Sequence, residues 1–107
     1  MKLPIRLRSA AEKDVSHCAL FLNSRNPPAA IKFLDAFDAT LLILQRTPEI
    51  GGSCRFANPL LEGIRVWSVA SFKNYLIYYR ILSEEIEIVR VLHAARDLES
   101  IFGGKDS

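Results

Sequence analysis

The sequence predicts an α+β fold of order β-α-α-β-β-β, in which a helical hairpin packs on one face of a mostly antiparallel four-stranded sheet. Two observations lead to this prediction. Two adjacent segments in the first half carry apolar residues every three or four positions, which is the periodicity of amphipathic helices. Three segments in the second half, 64–69, 75–82 and 86–93, are rich in β-branched and aromatic residues, as strands are.

The N-terminal segment predicts a strand that leads directly into a helix. Leu3, Ile5 and Leu7 alternate with polar residues or proline, the period of two expected of a strand with one buried face. Ser9 and Glu12 then have the spacing of a capping box, in which each side chain bonds the other residue's free backbone N–H. A helix is therefore expected to start at Ser9. Its apolar stripe consists of Ala11, Val15, Cys18 or Ala19, and Leu22.

The segment 23–28, which ends in two prolines, is expected to interrupt the first helix and to form a tight turn before the second. Pro27 and Pro28 lack N–H donors and force the residues before them out of the helical region. Asn26 is expected to cap the second helix, with Pro27 in its first position. This helix is expected to run to about Arg46 and to stop before the Thr-Pro pair that follows. Its apolar positions are Ala30, Phe33 or Leu34, Phe37, Leu41 and Leu44.

The second half predicts an irregular, glycine-containing connection at 51–63, followed by three strands. A short polar link at 83–85 suits an antiparallel hairpin between the last two strands. In the last strand, alternation assigns Val89 and Val91 to one face, and Ile88 and Leu92 to the other. Because both faces are apolar, either the C-terminal tail or a binding partner is expected to cover the face that the helices leave open.

Length and composition favour one cytoplasmic domain spanning residues 1–107. The chain is near the commonest domain size, and half of its residues are hydrophobic, enough for a core without disulfides. Cys18 and Cys54 fit no metal-binding or redox spacing, so no metal or cofactor is expected. No signal-peptide pattern or membrane-spanning apolar stretch occurs. The formal net charge of +2 is too small to indicate nucleic acid by itself.

Five segments carry a resemblance to a known family. They are PPAA at 27–30, LLILQRTP at 41–48 with Gly51 soon after it, GIR at 63–65, FKNYLIYYR at 72–80 and IVRVLHAARD at 88–97. No single segment is diagnostic, but their order and spacing extend over nearly the whole chain. In this combination the sequence resembles the ParE toxin family of the ParE/RelE superfamily of type II toxin–antitoxin systems.

The resemblance implies a growth-inhibiting toxin that is encoded beside an antitoxin, whose C-terminal segment wraps the toxin in a tight complex. It also implies inhibition of DNA gyrase, although ribonuclease members of the superfamily have a similar fold. The expected partners are therefore a cognate antitoxin and DNA gyrase. The alternative is a RelE-like endoribonuclease, or mRNA interferase, with the ribosome or mRNA as its target.

The ribonuclease alternative has a candidate residue set but no assigned catalytic residue. Cleavage by the RNA's own 2′-hydroxyl needs a base, an acid and cations around the phosphate. Arg65, Lys73 and Arg80 are candidate phosphate ligands, and His93 is a candidate for proton transfer. However, the tail 94–107 has neither the tyrosine nor the histidine that ribonuclease relatives often carry there. His93 also has a structural alternative, since an imidazole at a strand end can bond the following backbone.

Cationic and aromatic residues on the predicted sheet form the candidate binding surface, which we expect to meet an acidic antitoxin segment. Strand parity places Arg65 with Trp67 and Arg80 with Tyr78, whereas Tyr75 shares the opposite face with Tyr79. The alternatives are that the arginines serve solubility and discourage edge pairing, and that Arg96 pairs locally with Asp97. The expected target- or antitoxin-binding residues are Arg65, Lys73, Tyr78, Arg80, Arg90 and Arg96.

Overall fold

The computed structural model describes residues 2–96 and 101, and within them two helices pack on a five-stranded sheet. The elements are β1 (Ile5–Leu7), α1 (Ser9–Arg25), α2 (Pro27–Arg46), β2 (Gly52–Ser53), β3 (Arg65–Val69), β4 (Phe72–Ile81) and β5 (Ile86–His93). Short 3₁₀ helices at Pro48–Ile50 and Pro59–Leu61 flank β2. The strand order is β1-β5-β4-β3-β2, and only the β1–β5 pair of this sheet is parallel. The predicted α+β class and the order of its helices and longer strands are confirmed.

Strand β2 is a fifth strand, where the sequence predicted only an irregular connection. Its two residues pair with Val66 and Arg65 of β3. The segment reaches this edge because Gly51 lies directly against the β3–β4 hairpin. A Cβ atom there would stand 2.6 Å from the hydroxyl of Tyr79 and 2.8 Å from the carbonyl oxygen of Val66. Glycine at position 51 therefore permits the close approach, which local strand propensity does not reveal.

The hydroxyl of Tyr79 fixes this connection to the core. It donates a hydrogen bond to the carbonyl oxygen of Pro48 (2.6 Å) and accepts one from the backbone N–H of Gly51 (2.9 Å). Tyr79→Phe is therefore expected to lower the free energy of unfolding by about 1–3 kcal/mol, because the buried Gly51 N–H loses its partner. Urea denaturation measures the difference.

The matched control is Tyr75→Phe, because the hydroxyl of Tyr75 makes no hydrogen bond within the part of the chain that the structure describes. Its expected change is within about 0.5 kcal/mol. Equal losses in the two variants would show that the bonds of Tyr79 contribute little.

Both helices begin where predicted and α2 ends where predicted, but one cap differs. The first helix, α1, also continues through Arg25, into the segment 23–28 that was expected to interrupt it. Asn26 accepts a hydrogen bond from the backbone N–H of Ala29 at 3.4 Å, and α2 ends at Arg46. The capping box predicted at Ser9 does not form. The backbone N–H of Arg8 still pairs with Ile88 of β5 (3.0 Å), so Arg8 occupies the cap position and Ser9 is already helical. The chain thus passes from strand to helix without a residue left for a side-chain cap.

The main core lies between the helices and the sheet. Phe33 is fully buried and contacts the rings of Phe72 and Tyr75 edge-on, at 5.4 and 5.2 Å between centroids. Leu34, which the sequence left as the alternative to Phe33 on the apolar face of α2, is 41% exposed. Tyr75 and Tyr79 belong to this core, whereas Tyr78 belongs to a second buried cluster, so the predicted division of the three tyrosines is confirmed.

The predicted facing of β5 is wrong because the strand contains a β-bulge. Tyr78 pairs with Arg90, but the next residue of β4, Tyr79, pairs with Ile88, which leaves Val89 as an extra residue. The bulge reverses the alternation beyond it. Ile88 and Val91 therefore share the core beneath the helices, and Val89 and Leu92 share the opposite face.

The opposite face of the sheet is partly covered by the chain itself. Phe56 and Leu61, from the connection between β2 and β3, pack there against Ile64, Tyr78, Val89 and Leu92. Ile101 of the tail also contacts this cluster. The predicted Arg96–Asp97 pair and the rest of the tail, 97–100 and 102–107, lie outside the described residues. Among the helices that are described, none is long and apolar enough to span a membrane.

Candidate binding surface

A wide depression of about 830 Å³ lies on the sheet face away from the helices. We call it the sheet-face groove. Its cationic lining residues are Arg55, Lys73 and Arg96, and its aromatic ones are Phe56 and Tyr78, of which Tyr78 is only 2% exposed. Trp67 borders the groove, but it pairs with Ile77 and packs against the main core beneath the helices. No carboxylate or imidazole occurs among the described residues that line it. The groove therefore offers positive charge and aromatic surface together, which suits an acidic or anionic chain.

Lys73 reaches this groove through an irregularity at the start of β4. Val69 of β3 pairs with Phe72, but the preceding Ser68 pairs with Leu76, so three residues of β4 lie between successive pairs. Phe72 and Tyr75 both contact Phe33 on the helix side. Lys73, between them, lines the sheet-face groove instead. Simple alternation would have placed Lys73 on the same face as Tyr75.

A second depression, of about 430 Å³, lies between α1 and the adjoining ends of β4 and β5. We call it the helix-side groove. Its lining includes Cys18 and Phe21 of α1, Tyr75 of β4, His93 of β5 and Arg96. Burial raises the pKa of Cys18 to about 11, with Asp14 adding to the rise and Arg96 opposing it. Cys18 is thus an uncharged thiol at neutral pH, and it contributes an apolar wall.

His93 lies in the helix-side groove and not with the sheet-face cations. Its Nδ1 accepts a hydrogen bond from the backbone N–H of Ala95 at 3.1 Å, and its ring stacks edge-on against Tyr75 at 5.1 Å. This is the backbone contact that the structural alternative for His93 predicts.

Three of the predicted sheet cations already have partners. Arg65 donates to the carbonyl oxygens of Gly51 (2.8 Å) and Glu49 (3.2 Å). Arg80 pairs with Glu87 at 3.0 Å and also donates to the carbonyl oxygen of Leu60. Arg90 pairs with Asp14 at 2.7 Å. By contrast, Arg55, Lys73 and Arg96 make no ion pair with a carboxylate in the described part of the chain.

The four residues of the ribonuclease alternative do not converge. Lys73 and Arg80 are seven positions apart on β4, which is roughly 20 Å along a strand. Arg65 pairs with Tyr79 beside Arg80, whereas His93 pairs with Tyr75 near Lys73. Arg65 and Arg80 therefore lie toward one end of β4, and Lys73 and His93 lie toward the other.

Asp14 holds α1 against β5 through a buried ion pair. Its carboxylate is 7% exposed and accepts two bonds from the Arg90 guanidinium, at 2.7 and 2.8 Å, and one from the backbone N–H of Val91 at 3.0 Å. The hydrogen bonds that Arg90 donates to Asp14 raise the pKa of Arg90. Asp14 thus accepts hydrogen bonds both from Arg90 and from the backbone N–H of Val91, beside the bulge.

A second ionic network crosses the other end of the sheet. Arg6 of β1, Glu87 of β5 and Arg80 of β4 are aligned in register, and Glu87 is bonded by Arg6 at 3.1 Å and by Arg80 at 3.0 Å. Arg6 also bonds Glu85 at 2.7 Å, which lowers the pKa of that carboxyl. Arg80 is therefore held by a network that the sequence did not predict.

Comparison with known families decides the assignment. The family model described as "ParE toxin of type II toxin-antitoxin system, parDE" matches residues 5–98. The chain belongs to this ParE toxin family. The predicted resemblance is therefore confirmed, and the protein is a ParE-type toxin of a type II toxin–antitoxin system. A search among curated proteins found no match.

Two solved structures share the fold of this ParE-family toxin. A chain of the chromosomal ParDE system from P. aeruginosa superposes with a TM-score of 0.69 at 17% identity, covering 86% of this chain and 96% of that chain. A chain of the toxin–antitoxin complex RelBE2 from Mycobacterium tuberculosis gives a TM-score of 0.55 at 20% identity, covering 87% and 99%. At these identities the similarity shows the fold alone.

In this ParE-family toxin, sequence reasoning missed Arg55 and Asp14. Arg55 lies in the irregular connection, where no periodicity assigns a face. Asp14 had a detectable signal, because it falls three positions after Ala11 on the apolar stripe of α1, where an unpaired carboxylate would be costly.

Proposed function

We propose that this ParE-family toxin inhibits DNA gyrase by binding it, without catalysing a reaction, and that a cognate antitoxin neutralises the toxin by placing an acidic segment in the sheet-face groove. Membership of the ParE family supports the gyrase target. The observation that carries the binding mode is the chemistry of the groove, which combines three cations with the aromatic side chains of Phe56 and Tyr78 and has no carboxylate or imidazole in its described lining.

Among the described residues that line the groove there is no histidine or carboxylate, the groups that most often transfer protons in RNA cleavage. Burial raises the pKa of Tyr78 to about 12, and Tyr78 is only 2% exposed. Burial also raises the pKa of Cys54. The histidine of the ribonuclease alternative, His93, lies in the helix-side groove with Nδ1 already bonded. These features favour binding over catalysis.

An acidic segment fits the groove because its cations are not neutralised by described carboxylates. Arg55, Lys73 and Arg96 make no ion pair in the described part of the chain, so carboxylates from another molecule have three positive groups to contact. Phe56 adds aromatic surface beside them. The complementary partner is therefore an acidic protein segment with some apolar residues.

The direct test is a supercoiling assay with purified gyrase and relaxed plasmid. Free toxin is expected to reduce supercoiling in proportion to its concentration, and the cognate antitoxin is expected to restore it. Relaxation by a type I topoisomerase serves as the control and should be unaffected. Gyrase activity that stays unchanged at saturating toxin contradicts the proposed target.

The ribonuclease alternative predicts a different outcome in cells. Under the present proposal, transcripts stay intact after toxin induction while DNA-damage signalling rises. Under the alternative, mRNA is cleaved within minutes, and the double substitution His93→Ala with Arg80→Ala restores growth. Sequencing of RNA 5′ ends after induction distinguishes the two.

A further inference from the structure

The helix-side groove is an apolar cleft whose polar lining includes His17, His93 and Arg96. Cys18, Phe21 and Tyr75 form apolar walls, and Phe21 is 51% exposed although it is a large aromatic residue. The groove also contains a carboxylate, that of Asp14, but both of its oxygens are occupied by Arg90 and the N–H of Val91. Asp14 is therefore not available to bind a basic ligand.

His93 adds a donor of fixed orientation. Because its Nδ1 accepts the N–H of Ala95, the neutral imidazole must carry its proton on Nε2. Arg96 adds a guanidinium to the same groove. An occupant that suits this lining has a large apolar group with an acceptor, such as a carboxylate, beside it.

Arg96 connects this cleft to the proposed antitoxin site. It lines the helix-side groove together with His93, and it also lines the sheet-face groove together with Lys73. A chain that lies in the sheet-face groove therefore reaches the helix-side groove by passing Arg96 at the end of β5. The two grooves offer one continuous path around this end of the sheet.

We propose that the helix-side groove binds one phenylalanine- or leucine-sized side chain of the antitoxin segment, whose neighbouring carboxylate contacts Arg96. The inference rests on the proposed docking of an acidic antitoxin segment. It adds an apolar anchor to that segment, namely the side chain that occupies the helix-side groove after the acidic stretch. Apolar burial in this cleft supplies affinity that charge on the open sheet face does not, because exposed ion pairs contribute little.

Two synthetic peptides distinguish binding through the apolar anchor from binding through charge. One is acetyl-Glu-Asp-Phe-Glu-Asp-amide, and the other has alanine in place of phenylalanine. Amide NMR shifts of Lys73 and Leu76 report the sheet-face groove, and those of Cys18 and His93 report the helix-side groove. Both peptides are expected to shift Lys73 and Leu76. Only the phenylalanine peptide is expected to shift Cys18 and His93, in a saturable manner.

Variants locate the anchor. Phe21→Ala removes an exposed wall and is expected to weaken the response of Cys18 and His93 to the phenylalanine peptide about tenfold, while the response of Lys73 and Leu76 persists. Cys18→Phe, which fills the cleft, is expected to abolish the response of His93. Leu42→Ala is the matched control for Phe21→Ala, because Leu42 is 52% exposed on α2 and lines neither groove.

The outcomes separate this inference from the proposed function. Two results overturn the anchor while the acidic docking stands. One is an equal shift of Cys18 and His93 with both peptides. The other is a shift with the phenylalanine peptide that Phe21→Ala and Cys18→Phe leave unchanged. Changes at Lys73 and Leu76 alone have the same meaning. No response at either groove with either peptide overturns the anchor together with the acidic docking on which it rests.

Discussion

Replacing Lys73 and Arg96 together by glutamate is expected to weaken the complex with the cognate antitoxin by about 100-fold or more, because carboxylates of the partner then face like charge. Both side chains line the sheet-face groove, and neither pairs with a carboxylate in the described residues. Titration calorimetry with the purified antitoxin measures the loss. The wild-type affinity should also fall with rising salt, as expected of contacts on an open surface.

The matched control is the double variant Lys13→Glu with Lys32→Glu. Its two lysines are exposed on α1 and α2 and lie outside both grooves, and the change in net charge is the same. This variant is expected to bind with nearly the wild-type affinity. If both double variants lose the same affinity for the antitoxin, binding responds to overall charge, and the assignment of the sheet-face groove as the antitoxin site is contradicted.

Asp14→Ala is expected to lower the free energy of unfolding by about 2–4 kcal/mol, because it leaves the Arg90 guanidinium and the Val91 N–H without their acceptor. The carboxylate is 7% exposed, so water replaces it only in part. Urea denaturation measures the effect. Asp38→Ala, at an exposed position of α2, has the same gain in helix propensity and serves as the control.

A double-mutant cycle with Arg90→Met isolates the ion pair. If Asp14 acts through Arg90, removing both charges lowers the free energy of unfolding by less than the sum of the two single losses, because no unpaired charge stays behind. Additive losses would show that Asp14 stabilises the protein by another route, such as its bond to the N–H of Val91.

Periodicity was sufficient to predict the helices and the longer strands. The run of apolar residues at helical spacing, the cap at Asn26 and the Thr-Pro stop determine α2 nearly to the residue, because these are local effects of backbone geometry. The tyrosines of β4 were assigned to the correct faces because the strand is regular from Tyr75 to Tyr79.

The candidate site was predicted less well, because irregular pairing determines it. The bulge at Val89 and the wide interval around Lys73 arise from pairing between strands, and alternation along one strand does not reveal them. The partners of Arg65, Arg80 and Arg90 are likewise distant in sequence. The sequence therefore predicted a cationic sheet surface, but not which of its cations pair with other described residues of the chain.

Acetylation of surface lysines, read by mass spectrometry in the free toxin and in its saturated complex with the antitoxin, tests the central claim most directly. Lys73 is expected to be protected in the complex, while Lys32, on the exposed surface of α2, reacts as in the free toxin. A complex in which Lys73 stays fully reactive and Lys32 is protected would place the antitoxin on the helices and contradict this account.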